Sequence, residues 1–166
     1  MTLPRDPQSF LQVIEKNKGI IYKVANGYCK DPENRKDLIQ EITLQLWHSF
    51  DRYNEQYKLS TWMYRIALNV SISFYRKESR RTEISQTMPD GIINFPDGDT
   101  DELAEVAQLH QFIRELKEMD KAVILLYLDE NSHQEIGDIL GLSVTNVSTK
   151  IGRIKEMLRV KFSTQN

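Results

Sequence analysis

The sequence predicts an all-α protein: two small helical domains joined by an acidic linker. Three observations predict it. Apolar residues recur at spacings of three and four along most of the chain, and no stretch of useful length alternates with the period of two expected of a strand. The helical pattern breaks in one place, where Met88-Pro89-Asp90-Gly91 and Phe95-Pro96-Asp97-Gly98-Asp99 are turn chemistry. Charge breaks at the same place. Residues 82–105 hold seven carboxylates and no Lys or Arg, so the rest of the chain carries +5 although the net charge is −2. The expected division is residues 1–82, a linker at 83–103, and residues 104–166. On composition alone, an extended connector and a disordered spacer fit that linker equally well.

The first domain begins at Asp6-Pro7, an N-cap followed by a proline suited to the first helical turn. Phe10, Val13, Ile14, Ile21, Val24, Ala25 and Tyr28 then form one stripe. A second Asp-Pro, at Asp31-Pro32, restarts the chain in the same way. Leu38, Ile39, Ile42, Leu46, Trp47 and Phe50 give the next helix its apolar face, up to about Arg52. Asp51 to Ser60 reads as a loop. A third helix is expected from about Thr61 to Arg81, capped by Ser60, with Trp62, Ile66, Ala67, Val70 and Phe74 turned inward. Three helices of this length can close a small core.

Helices are expected to resume near Asp101, with Leu109, Phe112, Ile113 and Leu116 facing a core. Val123, Ile124, Tyr127 and Leu128 follow on a helix that Asp120 can cap. Ser132 and Glu135 have the spacing of a capping box, and Ile136, Ile139 and Leu140 give the helix they start one apolar face. Gly141 can turn left-handed at its end, and Ser143 can cap the next helix, striped by Val147, Ile151, Ile154 and Leu158. A short helix, a glycine turn and a longer helix have the layout of a DNA-binding helix-turn-helix; an ordinary helical hairpin has the same spacing.

Several classes of function find no support in the residues. Cys29 is the single cysteine, so no internal disulfide forms, and a reducing cytoplasm is the expected compartment. His48, His110 and His133 lie far apart without ligand-spaced companions, so no metal site is expected. The longest apolar run, Ala122 to Leu128, is too short to span a bilayer, and the N-terminus lacks a signal-peptide core. No phosphate loop or nucleophile elbow occurs, so neither catalysis nor a cofactor is expected.

Three patches remain as candidate sites. Asp37, Gln40 and Glu41 share one face of the second helix, as a partner-binding patch or a plain solvated face. Tyr53, Tyr57, Trp62 and Tyr64 sit among Lys58 and Arg65, and Arg76, Lys77, Arg80 and Arg81 close the third helix. Rings with interleaved cations are how unpaired bases are held, though Trp62 serves equally well as a core residue. On the last helix the face opposite the apolar stripe holds Thr145, Thr149, Gly152, Arg153 and Glu156, flanked by Asn146 and Ser148. Small, hydrogen-bonding and cationic groups of this kind read base edges or grip phosphates.

Asp37-Leu38-Ile39-Gln40-Glu41, Trp47 and Ser60-Thr61-Trp62-Met63-Tyr64-Arg65-Ile66-Ala67-Leu68-Asn69, with the basic helix end, resemble region 2 of bacterial RNA polymerase sigma factors. Leu126-Tyr127-Leu128, the run from Ser132 to Ser143, and the following helix to Arg153 resemble their region 4. Two such domains with a short acidic linker resemble the extracytoplasmic-function class. The resemblance implies roles. Asp37, Gln40 and Glu41 would meet the clamp helices of the polymerase's largest subunit, and region 4 the flap of the second-largest. Tyr57, Lys58, Trp62, Arg65, Asn69, Ser73, Arg76 and Lys77 would hold the melted minus-ten element. Thr145, Asn146, Ser148, Thr149, Gly152 and Arg153 would read the minus-thirty-five element in duplex form. An anti-sigma partner, membrane-bound in many relatives, is implied by the resemblance alone.

The sequence departs from the family pattern in places. Family members often have an amide or basic residue where Ser73 stands, Arg where Ser148 stands, and a larger side chain at Gly152. The expected function is therefore a promoter-specificity factor that works with core polymerase. A stand-alone helix-turn-helix regulator, binding its operator without polymerase, is the alternative.

Overall fold

A computed structural model describes residues 6–53, 56–80 and 104–163, with the side chains of residues 77–80 outside the description. The linker at 83–103 lies outside the described residues. The chain divides into two compact units, Met1–Thr100 and Asp101–Asn166, and every described element longer than one turn is an α-helix.

The first unit packs α1 (Pro7–Tyr28), α2 (Pro32–Ser49) and α3 (Leu59–Arg80) pairwise against one another. Both Asp-Pro starts act as expected: the Asp6 carboxylate accepts from the Ser9 amide, and that of Asp31 from the Asn34 amide. Arg35 closes the α1–α2 connection by donating from Nε to the Cys29 carbonyl (3.3 Å) and from Nη2 to that of Lys30 (3.0 Å). Carbonyls left over at a helix end are thereby satisfied. Phe10, Ile14, Ile21, Val24, Leu38, Ile42, Leu46 and Phe50 form the core, as their spacing suggests, while Val13 and Trp47 are only partly covered.

Three expectations need correction in this unit. α2 ends at Ser49, and Phe50–Arg52 tighten into a 3-10 turn. α3 starts at Leu59, not Thr61; the Lys58 carbonyl accepts its first helical bond, so Ser60 is inside the helix and caps nothing. The inward face of α3 is also rotated from the expected one. Met63, Tyr64, Ala67, Leu68 and Ser71 are buried, whereas Trp62, Ile66, Val70 and Phe74 are half-buried on its flank. The reason is that α3 is clasped by two helices, α1 and α2, and so buries an arc wider than one stripe.

The second unit contains α4 (Ala104–Arg114), α5 (Glu118–Leu128), α6 (His133–Leu140) and α7 (Val144–Ser163); α5, α6 and α7 pack mutually and α4 packs on α5. Phe112, Ile113, Val123, Leu126, Ile136, Val147, Ile151 and Ile154 make its core. Asp120 does not cap α5: Lys117 occupies the cap position, and Asp120 instead pairs with Lys150 of α7 at 3.3 Å. Ser132 caps α6 by accepting from the Glu135 amide (3.1 Å), and Ser143 caps α7 by accepting from the Asn146 amide (3.1 Å).

Two glycines make the turn between α6 and α7. Gly141 adopts φ 72°, a left-handed conformation that side-chain-bearing residues resist, and its amide donates to the Gly137 carbonyl at 2.8 Å. The Leu142 amide donates to the same carbonyl at 3.0 Å. Gly137 is needed because a Cβ there would sit 2.5 Å from the Leu142 carbonyl oxygen. The turn is as tight as backbone contact permits.

Candidate nucleic-acid interfaces

In the first unit, a turn of about 100° per residue places Trp62, Arg65, Asn69, Ser73 and Arg76 on one side of α3, away from its buried arc. Asn69, Ser73 and Arg76 are exposed, and Trp62 and Arg65 are partly covered. Lys77 continues the helix, but its side chain lies outside the described residues. The four rings named in the sequence divide into two kinds. Tyr53 (8% exposed) and Tyr64 (3%) are core residues, so neither can stack on a base. Tyr53 anchors the loop, its hydroxyl donating to the Tyr57 carbonyl at 2.8 Å. Tyr57 is 44% exposed, and the Arg65 guanidinium lies over its ring at 4.9 Å. Lys58 beside it is exposed.

Trp62 stands between the two cases. Its ring centroid is 5.2 Å from that of Tyr53 and 6.4 Å from that of Phe50, which in turn meets Phe10 at 5.2 Å. One side of the indole is the outer end of an aromatic chain through the core; the remainder is accessible. The arrangement supplies a rigid ring, an amide at Asn69 and cations at Arg65 and Arg76 along one ridge.

On α2, Asp37 and Glu41 are exposed, and Gln40 is partly buried with its side-chain oxygen lacking a hydrogen-bond partner. Leu44, 42% exposed, continues the same face at i+4 from Gln40 and i+3 from Glu41. Periodicity leaves Leu44 outside the apolar stripe of α2, but a single exposed apolar residue carries no signal of a contact in the sequence.

In the second unit, Thr145, Asn146, Ser148, Thr149, Gly152 and Arg153 are all exposed on α7. Two of these side chains are already engaged. The Thr149 hydroxyl donates to the Thr145 carbonyl (2.9 Å), and the Ser148 hydroxyl lies 2.8 Å from Nδ1 of His133 on α6. The space beside Gly152 is open, with nothing within 4 Å of where a Cβ would stand.

The basic character of this helix is largely spent internally. Lys150 pairs with Asp120, Lys161 with Glu115 at 2.6 Å, and Arg159 with Glu156 at 2.5 Å, while the Lys155 ammonium lies 4.6 Å from the centre of the Tyr127 ring. The Arg159 hydrogen bond and charge hold the Glu156 carboxyl below its ordinary range. Of the five cations on α7, Arg153 is the one without an intramolecular partner among the described residues. Apart from the Arg159–Glu156 pair within α7, that contrast could not be drawn from sequence, since Asp120 and Tyr127 of α5, and Glu115 just past α4, are brought up to α7 by packing.

Residues 13–81 match the sigma-70 region 2 family and residues 107–158 match sigma-70 region 4. The fold is similar to that of CnrH in complex with the cytosolic domain of CnrY, with a TM-score of 0.70 at 20% identity over 97% of this chain and 92% of that one. It is similar also to the sigma factor RpoE of Bartonella quintana in complex with the anti-sigma factor NepR, with a TM-score of 0.67 at 16% identity over 96% and 97% of the two chains. In sequence, the ECF RNA polymerase sigma factor SigW of Bacillus subtilis is 30% identical over 93% of this chain and 89% of its own length. With both regions matched in order and a relative aligned nearly end to end, the chain belongs to the extracytoplasmic-function (ECF) family of RNA polymerase sigma factors.

Proposed function

We propose that the protein is a promoter-specificity subunit that binds core RNA polymerase in the cytoplasm, recognises a two-part promoter and starts transcription without catalysing a reaction itself. The observation that carries this is the presence of regions 2 and 4 in one chain, in that order, over residues 13–81 and 107–158. In this reading Asp37, Gln40, Glu41 and the exposed Leu44 dock on the largest subunit's clamp helices, and the second unit meets the flap of the second-largest. The ridge of Tyr57, Lys58, Trp62, Arg65, Asn69, Ser73, Arg76 and Lys77 takes the melted minus-ten strand: rings stack on bases, and cations neutralise phosphate.

The polar face of α7, with Thr145, Asn146, Ser148, Thr149, Gly152 and Arg153, enters the major groove of the minus-thirty-five element. Arg153 is its strongest reader because its guanidinium is not engaged elsewhere, and a bidentate contact to guanine discriminates by about 1–3 kcal/mol. With most cations of α7 engaged within the second unit, the free protein binds duplex weakly and depends on polymerase to hold both units over DNA. An anti-sigma protein, as in the complex of RpoE with NepR, is the proposed negative regulator. Run-off transcription with purified core polymerase tests the proposal. Transcripts from a matched promoter should require added protein; tight operator binding without polymerase would favour a stand-alone regulator instead.

A further inference from the structure

His133 is the first residue of α6, and its Nδ1 lies 2.8 Å from the Ser148 hydroxyl on α7, across the tight turn fixed by Gly137 and Gly141. Its ring is also backed by Tyr127 of α5, with centroids 6.3 Å apart and planes tilted by 50°. Lys155 of α7 covers the Tyr127 ring at 4.6 Å. The imidazole is thus held between α5 and α7 and does not swing freely in solvent.

An unattached serine hydroxyl rotates, and can donate to or accept from either kind of base-edge group, so by itself it discriminates poorly. A hydroxyl tied to Nδ1 has lost that freedom. When the imidazole proton is on Nε2, Nδ1 accepts the serine hydrogen and the oxygen can only accept from DNA. When Nδ1 carries the proton, it donates to one lone pair of the serine oxygen, and the serine hydrogen is turned away from the imidazole toward a base acceptor. In each state the direction of the hydroxyl hydrogen, which a free serine leaves to rotate, is fixed by the imidazole.

We infer that His133 is a positioning residue for sequence reading: by fixing the orientation of the Ser148 hydroxyl it turns an indifferent group into a directed contact at a single base pair of duplex DNA. The inference rests on the reading of α7 as the groove-facing helix. It goes beyond that reading in assigning a specificity role to a residue of the preceding helix.

The test is holoenzyme reconstituted from the full chain and core polymerase, assayed on promoters in which each base pair of the upstream element is replaced in turn. His133→Ala should flatten the preference at one position by roughly two- to tenfold, the equivalent of one net hydrogen bond. Ser148→Ala should flatten it at the same position, and the double variant should lose no more than either single one. His133→Asn, which sets an amide where Nδ1 stood, should keep the preference, and His133→Gln should lose it; this pair carries the same contrast should the alanine variant fold poorly. A His133→Ala preference profile like the unmodified protein's beside an altered Ser148→Ala profile overturns the inference, as do losses that multiply in the double variant. Ser148→Ala without effect while Arg153→Ala flattens another position also overturns it but leaves the groove-facing helix standing. If neither Ser148→Ala nor Arg153→Ala alters any position, the reading of α7 falls as well.

Discussion

At Arg153 the chemistry of a guanidinium and its surroundings point the same way. The other four cations of α7 have carboxylate or ring partners, so their substitution removes an internal contact as well as any ligand contact. Arg153→Ala should therefore leave unfolding unchanged within about 0.5 kcal/mol, as for an exposed, unengaged side chain. It should cost about 1–3 kcal/mol of discrimination at one base pair, read from holoenzyme binding to matched and singly substituted promoters. Glu156 behaves oppositely. Its carboxyl is held low by the hydrogen bond and charge of Arg159, so the pairing is fully present above the ordinary carboxylate range and is lost as pH falls through the lowered value. Both groups are fully exposed, and the pair matters less for stability than for the field that DNA meets. Glu156→Gln removes a negative charge and releases Arg159. Titrations of holoenzyme against promoter DNA at several salt concentrations should show a log–log slope steeper by about 1, one more phosphate neutralised.

At the scale of elements, the turn between α6 and α7 sets the geometry on which every groove contact proposed for α7 depends. Gly137 and Gly152 make a controlled pair. An added methyl at Gly152 meets open space and removes a helix-interior glycine, so Gly152→Ala should raise the unfolding free energy by about 0.5–1 kcal/mol. At Gly137 the same methyl would meet the Leu142 carbonyl, a backbone atom that cannot swing aside, and Gly137→Ala should cost about 1–3 kcal/mol. Denaturant unfolding of the two variants reads both signs. In α3 the division is different: the ridge of Asn69, Ser73 and Arg76 is exposed, whereas Trp62 has its ring against Tyr53 and Phe50. The ridge is packed at its Trp62 end and solvated along the rest, while the opposite arc, Met63 to Ser71, holds the core.

For the whole molecule, the central quantity is effective concentration. On the proposed function, joining the two units through polymerase and a linker would supply affinity that neither surface holds alone. Supplying residues 1–82 and 104–166 as two chains should reduce promoter-specific transcription by about 10²- to 10⁴-fold at equal concentration. Raising the concentration of the second chain should restore it, in the same run-off assay.

The helices, their starts at Asp6, Asp31, Ser132 and Ser143, the glycine turn and most of both cores are legible in the chain alone. They follow from local rules: a cap needs a side-chain oxygen at one position, a stripe needs a period, and a left-handed residue favours glycine. The two-domain family is legible for the same reason, being written in contiguous motifs. Tertiary packing settles the cases in which neighbours compete for a residue. Lys121, a charged residue that a pattern places outside, is 1% exposed within the second unit. Tyr53 and Tyr64 are drawn into the core, Asp120 is diverted from capping to Lys150, and the buried arc of α3 is rotated because two helices clasp it. The candidate sites shift in the same way. Their residue types are visible in the chain, but the isolation of Arg153 and the tether of Ser148 to His133 arise only when residues 15 to 46 positions apart are brought side by side.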